Sequence, residues 1–175
     1  MSSTQWGLGV AGVVLVCWMV GAYNRMLGLR NVLVARFAAV DALCLARHGL
    51  IERQIGLLAT ALAGAGPRLD ALHAASRQAD AARAHAQPRP AAANAVTSLR
   101  VAEEILADAR ARLPVQTMAA AELPGINAEL AQGDARLDFA RREFNAAVAD
   151  YNAAVGQFPT LLVARLFGFR PGAVL

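Results

Sequence analysis

Residues 137–158 read LDFARREFNAAVADYNAAVGQF. Leu137, Ala140, Phe144, Val148, Tyr151, Val155 and Phe158, with Leu130 before them, recur at three- and four-residue intervals. That spacing places them along one face of an α-helix, and Pro159 closes the pattern. The stretch also holds a direct heptad repeat, EFNAAVA followed by DYNAAVG. Phe144 and Tyr151 share one helical position, and Asn145 and Asn152 share the next, at the edge of the apolar stripe. Asparagine is a mediocre helix former because its amide competes for backbone partners. Two at equivalent positions therefore call for a reason. Register against a facing helix is the first reading, and a polar binding strip is the second. Asn24 after Tyr23 and Asn31 after Arg30 repeat the pattern near the N-terminus and make the expected facing pair.

Working upstream, helical periodicity continues and no alternating strand pattern interrupts it. Leu33, Phe37, Val40, Cys44, His48 (or Arg47), Ile51, Ile55, Leu58 and Leu62 form a seam of about 30 residues, a coiled-coil-like length that implies packing against other helices. Gly64-Ala65-Gly66-Pro67 ends it, glycine closing one helix and proline opening the next. A second, Ala-rich helix over about 67–87 carries Leu69, Leu72, Ser76 and Ala79, and Pro88 and Pro90 break it. A third over about 91–113 uses Val96, Leu99, Ile105 or Leu106, Ala109 and Leu113, with Pro114 after it and Pro124-Gly125 at or near the start of the fourth. The expected architecture is all-α: an antiparallel up-and-down four-helix bundle, short loops forcing neighbours to run in opposite directions.

Residues 1–24 contain no charged side chain, and Trp6–Tyr23 reads WGLGVAGVVLVCWMVGAY. A run of about 18 residues is just long enough to cross a bilayer. Trp6 at one edge, with Trp18 and Tyr23 toward the other, resemble interface anchors. A cleaved signal peptide would have basic residues before the apolar run, and a lipid-modified cysteine would follow a small residue, whereas Cys17 follows Val16. The expected layout is thus a tail and single transmembrane helix over 1–24, a bundle over 25–159, and a membrane-proximal apolar and arginine-bearing tail over 160–175. Arg25, Arg30 and Arg36 follow the span and no basic residue precedes it. The positive-inside rule then sets the N-terminus outside and the body in the cytoplasm of a bacterial inner membrane.

Helix lengths carry the fourth helix back toward the membrane, so the tail is expected to finish beside the bilayer. There Arg165 and Arg170, with Arg25 and Arg36, are candidates for contact with anionic lipid headgroups, and Leu161, Leu162, Leu166, Phe167 and Phe169 form an apolar cluster suited to an interface. Capping of the bundle by the tail is the competing expectation.

The 175 residues include 41 alanines and 17 basic residues, all of them arginine, so lysine-dependent chemistry is excluded. Two cysteines make neither a disulfide framework nor a zinc quartet. The pI near 10.0 raises nucleic acid as a partner. However, the arginines are interleaved with acids, as in Arg100-Glu103-Glu104-Asp108-Arg110-Arg112, with no phosphate loop and no stacking aromatics. No nucleic acid is expected, and no small-molecule substrate is evident. His73 and His85 are separated by about 18 Å of helix, too far to share a metal. Glu-x-x-His pairs of the di-iron type are missing, and Ser76 and Ser98 have no evident base. Neither a cofactor nor an enzymatic activity is expected.

Two blocks carry a family resemblance. Residues 140–169, ARREFNAAVADYNAAVGQFPTLLVARLFGF, and residues 22–51, AYNRMLGLRNVLVARFAAVDALCLARHGLI, together resemble the LemA family. The matching positions are Tyr23, Asn24, Leu29, Arg30, Asn31, Asp41, Arg141, Asn145, Tyr151, Asn152, Phe158, Pro159, Gly168 and Phe169. Phe37 stands where the family usually has Trp, and Phe144 where it has the first Tyr. Gly49 replaces an acid, Glu52-Arg53 replace Pro-Asn, and Leu113-Pro114 stands for Tyr-Pro. The resemblance implies one N-terminal transmembrane helix and a helical bundle, with no catalytic residues to transfer. The candidate interaction or register residues are therefore Tyr23, Asn24, Arg30, Asn31, Asp41, Arg141, Asn145, Tyr151, Asn152, Phe158 and Pro159. The expected function is that of a membrane-anchored, non-catalytic scaffold with an unidentified protein partner. The alternative is a lipid-surface or envelope-stress accessory, associated with membrane peptidases only through the resemblance.

Overall fold

The computed structural model describes residues 3–61, 66–113 and 123–175. Among the described residues all regular structure is helical, with no strand. The elements are α1 (Ser3–Ala61), α2 (Gly66–Ala86), α3 (Ala93–Ala111), α4 (Leu123–Gly156) and α5 (Thr160–Leu166). Leu62, the Gly64-Ala65 break and Pro114 lie outside the described residues.

The apolar stripes become the core. One cluster joins Met26, Leu33, Phe37, Val40 and Cys44 of α1 to Phe144, Val148 and Tyr151 of α4 and to Val96 and Leu99 of α3. Beyond it, Ile51, Leu72, Ala79, Leu106, Ile126 and Leu130 form a second, and Leu58, Leu69 and Leu123 a third. The order of contacts along α1 is regular. Tyr23 meets Phe167 with the rings tilted, Phe37 meets Phe144 edge-on at 5.5 Å, Arg47 bonds Asp134 at 3.3 Å, and Gln54 donates to Asn127 at 2.8 Å. As α1 advances, its partners step backward through the sequence.

The first turns of α1 differ from the rest. Trp6, Leu8, Val10, Val13, Val14, Leu15, Val16, Trp18 and Val20 are all exposed, and the first buried apolar residues are Ala22 and Met26. This part of α1 is long and apolar enough to cross a membrane, by length and composition. No break separates it from the packed part.

Several expectations need correction. Phe158, read as the last member of the α4 stripe, is 75% exposed. The helix ends at Gly156, so three-four spacing no longer directs Phe158 toward the core. Ile105 is exposed and Leu106 buried, which settles that pair, while Arg47 and His48 are both buried. A short fifth helix, α5, begins directly after Pro159. The tail also departs from its expected course. Phe167 and Phe169 do pack against Tyr23, at 4.9 and 5.7 Å, at the inner end of the apolar run. Gly168, however, has φ +72°, a left-handed conformation that costs glycine little because it has no Cβ. After this turn, residues 169–175 run back along the body and finish beside Asn145, opposite Phe37 and roughly 20 Å further along α1 than Tyr23.

Candidate functional site

The returning tail defines the first candidate site. The Asn152 amide donates through Nδ2 to the Gly172 carbonyl at 3.0 Å and accepts through Oδ1 from the Gly172 N–H at 2.8 Å. One heptad earlier, Asn145 repeats the exchange with Leu175, both distances being 2.8 Å. The two asparagines thus bond neither to a facing helix nor to Asn24 and Asn31, which are exposed on α1. The heptad spacing that suggests helix register instead matches an extended chain. Seven helical residues rise about 10.5 Å, and three extended residues span about 10 Å.

Beside the start of the tail, at Gly168–Arg170, lies a groove of about 560 Å³ lined also by Tyr23, Arg30, Asn31 and Tyr151, with the Gln87–Ala92 turn on one wall. Tyr151 is 2% exposed. Burial raises its phenol pKa, with Arg30 pulling the other way. Gly172 sits close to the Leu33 and Val148 side chains, which a Cβ there would meet at 3.7 Å.

A second constellation lies deeper and was not legible as such. Glu103 is buried and receives Arg47 on Oε2, Arg141 on the same oxygen at 3.3 Å, and His48 Nε2 on Oε1 at 2.9 Å. Asp134 bridges Arg47 and Arg110, while Arg83 joins Asp41 at 2.8 Å to Asp80 at 2.9 Å. Four arginines therefore face four carboxylates, a balance that leaves no charge for His48 to neutralise. Burial lowers its pKa from 6.5 to about 4, and the neighbouring Arg47 adds to the effect, although Asp80 faces Nδ1 at 3.7 Å. Burial likewise lowers the Arg47 pKa. Neutral His48 consequently donates its Nε2 proton to Glu103.

The structure sorts the sequence-predicted residues into groups. Tyr23, Arg30, Asn31 and Tyr151 gather at the groove with Arg170, and Asn145 and Asn152 hold the tail that continues from it. Asp41 and Arg141 belong instead to the buried charge network. Phe158 and Pro159 are exposed beside α5, and Asn24, Arg25 and Arg165 are also exposed. Arg36 pairs with Glu143 at 3.5 Å on the surface. Glu103 could have been found from its spacing, four residues after Leu99 and three before Leu106, which puts it on the apolar face of α3. Among the described residues no group of three or more His, Cys, Asp or Glu is arranged to hold a metal ion.

Comparison with curated proteins and with solved structures finds no match. The model of the LemA family matches residues 68–175, a span that starts in α2 and includes the heptad repeat, α5 and the returning tail, but not residues 22–51. With more than half of its length matched, the chain belongs to the LemA family.

Proposed function

We propose that this protein is a membrane-anchored helical interaction protein that acts without catalysis. In this reading α1 crosses the bacterial inner membrane once, with its N-terminus outside, and continues into a cytoplasmic, antiparallel up-and-down bundle of α1–α4 that presents a binding surface to another protein. The observation that carries the anchor is the exposed apolar run from Trp6 to Val20 on a helix whose next turns enter a packed core. The backward order of α4 partners along α1 supports the bundle topology. The non-catalytic part is supported by Glu103, whose two oxygens are both occupied by Arg47, Arg141 and His48.

Extraction of native membranes with alkaline carbonate tests the anchor. The full chain is expected in the pellet, and a Val10→Arg, Val13→Arg, Val16→Arg variant in the supernatant; pelleting of both would reject it. For orientation, a thiol at exposed Asp138 should be shielded from an impermeant reagent in intact cells. Crosslinking in those membranes should then yield a discrete protein partner.

A second reading is favoured by α5. Leu162, Leu166 and Phe167 are exposed and share the membrane end with Arg165. Here the body docks on the anionic lipid surface itself. Crosslinking to lipid alone, together with salt-sensitive binding to anionic liposomes, would favour this reading over the protein partner.

A further inference from the structure

The Asn145–Asn152 pair offers something more specific than a surface. Each amide satisfies both main-chain groups of one tail residue, so the pair holds residues 172 and 175 by four hydrogen bonds. None of these bonds involves a tail side chain. The helix edge therefore measures an extended backbone in steps of three residues, whatever sequence that backbone carries. Side-chain selection enters at two points, the first where Gly172 lies against Leu33, Val148 and the Ala91 carbonyl. A Cβ would meet these at 3.7, 3.7 and 3.9 Å, ordinary contact for a methyl group, and a longer side chain would press on Leu33 and Val148 from the same place. Three residues later, Leu175 is half-buried against the main core cluster together with Ala173.

We propose that this edge of α4 is a main-chain-reading peptide site that the protein's own tail occupies in cis. Its ligand in trans is an extended peptide with Gly or Ala at the first clamped position and an aliphatic residue three positions later. The tail itself argues for that chemistry, because it is such a peptide and is seated without a helix or a disulfide to hold it. It is joined to the body through Gly168, the one described residue with positive φ, two residues after the end of α5, whose Thr160, Val163 and Ala164 are buried. Release of residues 169–175 thus leaves α5 in place and opens the site. A tethered competitor has an effective concentration on the order of millimolar, so the tail excludes weak peptides and yields only to a better-matched or more abundant one. The proposal deepens the interaction reading by naming the class of partner that the body accepts.

The test uses the full chain in detergent micelles and a fluorescent synthetic peptide, FGFRPGAVL, corresponding to residues 167–175. Gly172→Leu in the chain should expel the tail, and Gly172→Ala should leave it seated. Fluorescence anisotropy is expected to show peptide binding to the Gly172→Leu protein at least about tenfold tighter than to wild type or Gly172→Ala. Adding Asn145→Ala and Asn152→Ala to the Gly172→Leu chain should abolish that binding while circular dichroism shows unchanged helix content. A peptide with Leu at its Gly172 position should not bind at all, a control that needs no protein variant. Equal binding of the two peptides, binding that survives loss of both asparagines, or no binding to the Gly172→Leu protein overturns the proposal. Such a failure would leave the membrane crosslinking outcome untouched, and an absent crosslinked partner would leave the peptide affinity untouched, so the two readings fail separately.

Discussion

Asn152 and Gly172, on α4 and in the tail, exchange two hydrogen bonds of 3.0 and 2.8 Å. Each such bond contributes on the order of 1 kcal/mol. Asn152→Ala should therefore loosen the tail by about 2 kcal/mol and leave the helices intact. Hydrogen exchange is expected to accelerate for the amides of residues 172–175 and to stay unchanged in the middle of α4. Unaltered protection of the tail would mean that Phe169 and Leu175 hold it without the amide.

Glu103 carries the largest electrostatic stake. Glu103→Gln keeps the shape but strips Arg141 and, in part, Arg47 of a buried counter-charge. Removing one partner of a buried ionic group costs about 3–5 kcal/mol, and the lower end applies because Arg47 retains Asp134. Glu104→Gln, beside it, breaks only the exposed pair with Arg100 and should cost less than about 0.5 kcal/mol. Denaturant titration of both variants distinguishes these values, and equal midpoints would contradict the burial of Glu103.

His48 makes stability depend on pH. The unfolded imidazole takes its proton near pH 6.5, and the folded one only near 4. Between those values the unfolded chain binds more protons, so acidification favours unfolding. The stability is whole above pH 6.5, declines as pH falls through the window, and levels off below about 4, for a loss of at most about 3 kcal/mol. His48→Gln should flatten this part of the profile. A wild-type-minus-variant difference in Tm that stays constant from pH 7 to 4.5 would show that His48 is not held neutral.

Two phenylalanines on neighbouring stretches should behave oppositely. Phe144 is fully buried against Phe37, and Phe144→Ala is expected to cost about 3–5 kcal/mol in lost contacts and cavity. Phe158 is exposed on a loop, and Phe158→Ala should shift stability by less than about 0.5 kcal/mol. Thermal unfolding of the two variants measures this directly.

The helical stripes were readable because burial on a helix repeats every three or four residues, and Leu69, Leu72, Ser76, Ala79, Val96 and Leu99 all lie where their spacing puts them. The rule failed at its edges. Phe158 follows the period in sequence, but the helix had already ended. Glu103 obeys the period, yet its charge and the surrounding Arg100-Glu104 pattern make it look solvated; only the arrival of Arg47 and Arg141 from two other helices makes its burial tolerable, and those are long-range facts. The asparagine repeat was visible as a repeat. Its partner was not, because a heptad on a helix and a three-residue step on an extended chain have nearly the same length.

Because α1 runs unbroken from Ser3 to Ala61, the protein has no hinge between its apolar run and its core. On the membrane-spanning reading, the body stands on the bilayer like a mast about 60 Å tall, unable to swing on a tether. For partners held in the same sheet of lipid, the height of a surface along the mast then decides which neighbours can reach it. Asn145 lies about a third of the way up, so a membrane-bound chain reaching it must climb some 20 Å from the lipid. Short membrane-hugging peptides are thereby excluded, and among lipid-bound neighbours only segments on stalks of their own come within reach.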